Sequence, residues 1–341
     1  MEKSDRMKIC IVGAGAVGGY LGATLAHAGH DVSVIARGAH LEAIRRNGLK
    51  LIRSDGSEWI IPNFRATDRI ADAGSQDVVM LTLKAHQLVA VVDELPALLG
   101  PTTIIIPLQN GIPWWYFQKH GGAFAGRIVE SVDPGGVLAA RIDIDRLIGS
   151  VVYAATAVVA PGVVRHFVGN RFLLGELDGA QTPRIQTLSA ILSQAGLTAP
   201  VTPNIRAEVW LKLWGNLAFN PISALTHATL ADIARFPAMR AFVAAMMTEA
   251  QAIAHSLGIE FPVSLESRIA GAESVGSHKT SMLQDIEAGR PIELEALVGA
   301  VIELGKLTQT PTPSIEAVYA CAGLLAKTLS DENGRLKIEP L

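Results

Sequence analysis

Four polar side chains recur four residues apart in the middle of the chain: Glu208, Lys212, Asn216 and Asn220. On an α-helix that spacing places them along one face, while Trp210, Leu211, Leu213, Trp214, Leu217 and Phe219 cover the rest. A helix apolar on most sides is expected to be buried, and a buried ammonium or amide requires partners, so this stripe is expected to line a polar cleft. The long stem of Lys212 can carry its ammonium to an oxygen of a ligand. Taken alone, Glu208 and Lys212 also fit an ordinary i,i+4 pair on an exposed face. The two tryptophans beside the lysine and the two asparagines that continue its row tip the reading to a ligand site.

A second constellation lies at the start of the chain. Lys8 to Val12 is a short β-branched run, followed by Gly13-Ala14-Gly15-Ala16-Val17-Gly18, a helical pattern through Ala26, and a second strand-like run, Asp31-Val32-Ser33-Val34-Ile35. This is the G-x-G-x-x-G spacing in its strand-turn-helix context. Gly13 makes the tight turn, Gly15 lets a pyrophosphate approach the backbone, and Gly18 lets helix and strand pack closely. The helix N-terminus at Ala16 and Val17 faces the phosphates. The end of the second strand then separates two cofactors. Where an acid would hold a ribose 2′-hydroxyl, this chain has Ala36-Arg37. An arginine suits a 2′-phosphate, which a carboxylate would repel.

These residues need a scaffold, and its strands are legible. Residues 77–83 and 103–108 are nearly continuous apolar runs, as expected of parallel strands buried on both faces. Ligands of such sheets bind outside the carboxyl ends of the strands, where the sequence has Lys84-Ala85-His86-Gln87 and Gln109-Asn110-Gly111. Lys84 and Asn110 also suit turn caps, but together they point to the same ligand end. Shorter β-rich runs at 151–159, 162–167 and 171–174 suggest antiparallel strands extending the sheet. Pro200 and Pro203 flank a change to helical periodicity, which sets an expected boundary between domains 7–202 and 203–341. Beyond the polar-striped helix, helices are expected at 236–257, at 281–288, after Pro291 and at 314–329. Glu293 falls in the first turn of the third of these, a position that the helix dipole alone explains.

Composition narrows the partners. The chain has 341 residues, 49% hydrophobic and 18% charged, with net charge −3 from 29 basic and 32 acidic residues and no block of like charges. Nucleic acid and membrane surfaces are therefore not expected, and the partner should be small. The uncharged stretch 9–26 is too rich in glycine for a signal peptide or a span, so the cytoplasm is the expected location. Only Cys10 and Cys321 occur, both in apolar contexts and both expected in the core, which fits a reducing compartment. The nine histidines are scattered, and no metal-ligand cluster or nucleophile constellation stands out. A homodimer stays open, since apolar helical surface can be buried within or between chains.

Taken together, Gly13 to Gly18, Arg37, Leu83-Lys84-Ala85, Gln109-Asn110-Gly111, residues 204–213, Asn216, Asn220-Pro221, Ser281-Met282-Leu283-Gln284-Asp285 and Glu293 resemble the ketopantoate reductase (2-dehydropantoate 2-reductase) family. The resemblance spans Met7 to about Leu329. It implies an α/β Rossmann-type N-terminal domain joined to an all-α C-terminal domain similar to that of 6-phosphogluconate dehydrogenase. The implied reaction is NADPH-dependent reduction of a 2-oxo acid, ketopantoate or another branched one, in pantothenate biosynthesis. It implies Lys212 as general acid, with Glu293 as the carboxylate that meets Lys212 or the substrate hydroxyl. Lys84, Asn110, Asn216, Asn220 and Ser281 are then substrate residues, and Gly13, Gly15, Ala16, Val17, Gly18, Arg37, Lys84 and Asn110 cofactor residues. Two positions depart from the family pattern. Glu295 stands where many members have aspartate, and His278 where some have an asparagine that contacts substrate. A non-catalytic NADP-responsive protein would use the glycines and Arg37 but have no need of the Lys212 row.

Overall fold

The computed structural model describes residues 6–332, which form two compact units. The N-terminal unit is built on a parallel sheet of β1 (Lys8–Val12), β2 (Asp31–Ile35), β5 (Arg65–Thr67), β6 (Gln76–Leu81) and β7 (Leu99–Pro107), in the order β5-β2-β1-β6-β7. Its members pair in parallel register, with Cys10 opposite both Ser33 and Val79. The reversal of strand order at β1 is the doubly wound arrangement whose strand ends carry ligands.

A second sheet, β4-β3-β9-β8, joins β3 (Leu49–Ile52), β4 (Glu58–Ile61), β8 (Gly149–Ala160) and β9 (Val163–Gly175). The sequence suggested that the β-rich runs after residue 150 extend the parallel sheet, but they belong to this second sheet instead. They form one long hairpin that pairs through β3, and the 162–167 and 171–174 runs are a single strand. An isolated bridge between Ile105 and Leu147 is the link to β7. The pairing partners β3 and β4 are only four residues long each, which leaves them little periodic signal.

Among the described residues, five α-helices belong to this unit: α1 (Ala16–His27), α2 (Gly38–Asn47), α3 (Ala85–Leu88), α4 (Val137–Arg141) and α5 (Pro183–Gln194). Helix α1 packs on both sheets because its glycines leave room: Gly22 lies against Val34 and Ile11, and Gly19 against Val164 of β9. The core between them includes Ile9, Leu21, Val34, Ile106, Phe172 and Leu188.

The second unit is helical: α6 (Ile205–Thr226), α7 (Leu230–Arg235), α8 (Pro237–Ser256), α9 (Leu265–Ser274), α10 (Ser281–Glu287), α11 (Ala300–Leu307) and α12 (Pro313–Asp331). It also takes in two segments that the sequence pattern placed with the first domain, Asn110–Tyr116 and Val129–Gly135. The first of these is anchored by Ile112, Trp114, Trp115 and Tyr116, all buried. Trp210 Nε1 donates to the Tyr116 hydroxyl at 2.7 Å, and Arg206 Nε donates to the Tyr116 carbonyl at 2.7 Å, so this segment is fastened to α6. Residues 333–341 of the expected second domain lie outside the described residues. Cys10 is buried in β1, but Cys321 is exposed, contrary to expectation. It lies off the stripe Ile315, Val318, Ala322 and Leu329 that α12 buries. Among the described residues, no helix is long and apolar enough to cross a membrane.

Candidate functional site

The glycine turn in the N-terminal unit follows from three backbone constraints. Gly13 has φ +111, a region that other residues rarely adopt, and both its N–H and that of Ala14 donate to the Ile35 carbonyl at 3.1 and 3.0 Å. A Cβ on Gly18 would overlap the Gly13 carbonyl, whereas one on Gly15 would meet nothing within 4 Å. Gly18 is thus needed for packing, and Gly15 leaves open space beyond its Cα. Helix α1 begins there without a side-chain cap and with no acid in its first turn, so the N–H groups around Ala16 and Val17 suit an anionic ligand. Thr82, which sequence reasoning did not single out, donates from Oγ1 to the Gly13 carbonyl at 2.5 Å and fixes the turn to the end of β6.

Arg37 lies two residues past β2 and immediately precedes α2. It is exposed, and its guanidinium makes no hydrogen bond or ion pair among the described residues. An exposed, uncommitted fork of donors beside a dinucleotide turn fits a 2′-phosphate. Lys84 lies three residues past β6 and immediately precedes α3, where the Gln87 side chain accepts from the Lys84 N–H at 3.1 Å. Gln109 Nε2 donates to the carbonyls of Leu81 and Leu83 at 2.7 and 3.0 Å, tying the ends of β6 and β7 together. The sequence displayed Gln109 beside Asn110 but gave no signal of this clamp.

In the helical unit the polar stripe finds specific partners. Lys212 Nζ donates to Asn110 Oδ1 at 2.6 Å, and Asn110 Nδ2 donates to Glu293 Oε2 at 3.3 Å. Burial pushes the Lys212 ammonium down to about 8, while the negative charge of Glu293 raises it in opposition. Glu208 does not pair with Lys212 among the described residues, so the i,i+4 surface pair is not formed. Trp210 and Trp214 beside the lysine are fully buried, and Trp214 Nε1 donates to the Met247 carbonyl at 2.7 Å. One to two turns further on, buried Asn220 donates to Ser281 Oγ at 3.5 Å. Asn216 lies between these pairs, and its amide makes no hydrogen bond among the described residues.

The backbone around Glu293 and Asn110 explains how they meet. A widened π-type turn runs over Glu295–Gly299, just after Glu293. The Ala296 carbonyl in that turn accepts from the Ile112 N–H at 2.9 Å. Gly111 has φ +85, and a Cβ there would overlap the same carbonyl, so only glycine lets the 110–112 backbone reach the turn. The two departures fall differently. Glu295 is exposed and accepts from the Tyr319 hydroxyl at 2.7 Å, whereas His278 is half-buried just before α10. Among the described residues no group of three or more His, Cys, Asp or Glu could hold a metal ion.

A parallel sheet with a glycine turn at β1, followed by a helical unit carrying a lysine and amides, defines a Rossmann-type oxidoreductase. Residues 9–179 match the family model for ketopantoate reductase PanE/ApbA, and residues 204–326 match the model for its C-terminal domain. The chain is 54% identical over 321 residues to a Mesorhizobium japonicum 2-dehydropantoate 2-reductase, covering 94% of this chain and 98% of that one. A solved protein from Ralstonia solanacearum MolK2 superposes with a TM-score of 0.90 at 42% identity, covering 95% of this chain and 99% of the other. The structure of 2-dehydropantoate 2-reductase from Geobacter metallireducens GS-15 matches with a TM-score of 0.81 at 28% identity, covering 93% and 99%. The chain belongs to the ketopantoate reductase family, whose members are nicotinamide-dependent oxidoreductases.

Proposed function

We propose that the protein reduces 2-dehydropantoate to pantoate with NADPH, with Lys212 as the proton donor. The observation that carries this reading is the Lys212, Asn110 and Glu293 chain, an ammonium held half-buried by a neutral amide and a carboxylate. Bound NADPH would supply the hydride that adds to the carbonyl carbon. The protein's own work is to manage the charge that develops on the carbonyl oxygen. A lysine whose proton is loosened by burial stabilises that oxygen electrostatically and then transfers its proton to it, leaving an alcohol and a neutral amine. Asn110 directs the ammonium, and Glu293 keeps it protonated to a higher pH than burial alone would allow. Asn216 and Asn220 on the same face of α6, and Ser281 at the start of α10, supply further polar groups for the remaining substrate oxygens.

The glycine turn at Gly13, Gly15 and Gly18 and the start of α1 would hold the pyrophosphate, and Arg37 the 2′-phosphate that distinguishes NADPH from NADH. Lys84, at the carboxyl end of β6, is the remaining cofactor and substrate residue in this reading. The cytoplasm is the proposed location, in keeping with two unpaired cysteines. A second reading, reduction of another branched 2-oxo acid by the same machinery, rests on His278. A spectrophotometric assay of NADPH oxidation against a panel of 2-oxo acids tests both. Ketopantoate as the preferred substrate supports the first, and a different branched 2-oxo acid the second. No oxidation with any of them overturns the reductase reading.

A further inference from the structure

We propose that Arg268 binds the carboxylate of the 2-oxo acid, seated over Gly215 three residues along α6 from Lys212. The proposal rests on the reductase reading above and adds a substrate-binding residue to it. The starting observation is a glycine in the interior of a long helix. Gly215 is buried ten residues into α6, where glycine is disfavoured because it has more backbone freedom to lose than any other residue. The structure supplies the reason. The Arg268 guanidinium of α9 lies against it, with Nη2, Cζ and Nε at 3.0, 3.4 and 3.5 Å from where a Cβ would stand. Three consecutive atoms of the guanidinium thus lie within 3.5 Å of that point, which places Arg268 directly against the Gly215 backbone. A Cβ at 215 would require the guanidinium to give by a few tenths of an ångström.

The place and the chemistry agree. At 3.6 residues per turn, Gly215 lies about 60° around α6 from Lys212 and about 4.5 Å along it, so the guanidinium is carried beside the polar stripe. A 2-oxo acid presents two oxygen functions on adjacent carbons. Its ketone oxygen calls for the ammonium that becomes the acid, and its carboxylate calls for a second, permanently charged donor that never gives up a proton. Arginine meets the second need, since its planar fork matches a carboxylate and stays charged at all working pH values.

The test is steady-state kinetics of the full-length enzyme with NADPH and ketopantoate, comparing Arg268→Met, Arg268→Lys and Gly215→Ala with the parent. Arg268→Met keeps most of the stem and removes the charge. Its KM for the oxo acid should rise at least about tenfold, with kcat reduced far less and the KM for NADPH within about twofold. Millimolar guanidinium ion should restore part of the loss in Arg268→Met but not in the parent. Arg268→Lys should fall between the two, and Gly215→Ala, which requires the fork to give by a few tenths of an ångström, should raise the KM by less than Arg268→Met. An unchanged oxo-acid KM in Arg268→Met, or a loss shared equally by both substrates and not rescued by guanidinium, overturns the proposal and leaves Arg268 as a packing residue. Should Arg268→Met not fold, Arg268→Lys and Gly215→Ala give the same discrimination. A parent enzyme inactive on every 2-oxo acid overturns the reductase reading first, and with it this one.

Discussion

The ammonium of Lys212 and the side-chain oxygen of Asn110, 102 residues apart in the chain, meet at 2.6 Å. The contact exists because Trp210 of α6 and Tyr116 of the 110–116 segment are joined by their own buried hydrogen bond, which brings the two stretches together. An asparagine in that position accepts from the lysine without neutralising it, and its amide nitrogen donates onward to Glu293. The cation is oriented while its proton stays available.

If Lys212 is the acid, Lys212→Ala should lower kcat at least about a hundredfold while leaving NADPH affinity nearly unchanged, because the glycine turn and Arg37, which would hold the cofactor's phosphates, lie in the N-terminal unit. Single-turnover kinetics combined with NADPH fluorescence titration separates the two quantities. Near-normal turnover would return Lys212 to a structural role.

The pH dependence follows from the same group. Burial holds the Lys212 ammonium down at about 8, and the acid must be protonated to act, so kcat/KM for reduction should fall as pH rises through about 8. The charge of Glu293 raises that value, so Glu293→Gln should move the alkaline limb to lower pH. A limb that stays put or moves upward in Glu293→Gln would show that Glu293 does not act on Lys212.

The parts of the fold most legible in the sequence were those with strong local periodicity. The β1-turn-α1-β2 unit and the polar face of α6 were readable because each pairs a fixed spacing with a physical requirement at Gly13, Gly18 and Lys212. The second sheet was not, because β3 and β4 are short and the pairing of β3 with β9 joins residues more than a hundred positions apart. Within the site, Lys212, Asn110 and Glu293 could each be picked out, but their junction could not. It depends on a π-type turn at Glu295–Gly299 and on the approach of Gly111 to Ala296, and neither has a periodic signature. Gln109 and Thr82 were invisible for a similar reason, since their role is to bond carbonyls at the ends of other strands.

Gly111 offers a test of that junction. With φ +85 and no room for a Cβ against the Ala296 carbonyl, Gly111→Ala should cost about 1–3 kcal/mol in stability from backbone strain. It should also lower kcat at least about tenfold by moving Asn110 off Lys212. Thermal unfolding and turnover measured on the same preparation check both, and unaltered turnover would mean that Asn110 keeps its place without the close approach.

Cofactor choice rests on Arg37. Arg37→Ala should weaken NADPH binding by about 1.5–3 kcal/mol, the range of a charge-assisted hydrogen bond, with little effect on NADH. Titration with both cofactors decides it, and equal losses would remove Arg37 from the 2′-phosphate.

Substrate choice is the sharpest test of the helical unit. Ketopantoate carries a primary hydroxyl beyond its dimethyl-substituted carbon, which 2-oxoisovalerate lacks. A site that hydrogen-bonds this hydroxyl leaves a buried polar group unpaired when the analogue binds, and that penalty far exceeds the effect of a missing methylene. Glu293 is half-buried, its Oε2 accepts from Asn110 Nδ2 at 3.3 Å, and an ionised carboxylate has lone pairs enough on its two oxygens to accept more than one donor. Ketopantoate should therefore exceed 2-oxoisovalerate in kcat/KM by at least about a hundredfold, and Glu293→Ala should narrow that ratio by lowering the ketopantoate value more than the other. Equal turnover of the two acids by the parent enzyme would reassign the protein to another branched 2-oxo acid and direct attention to His278, the half-buried departure next to α10.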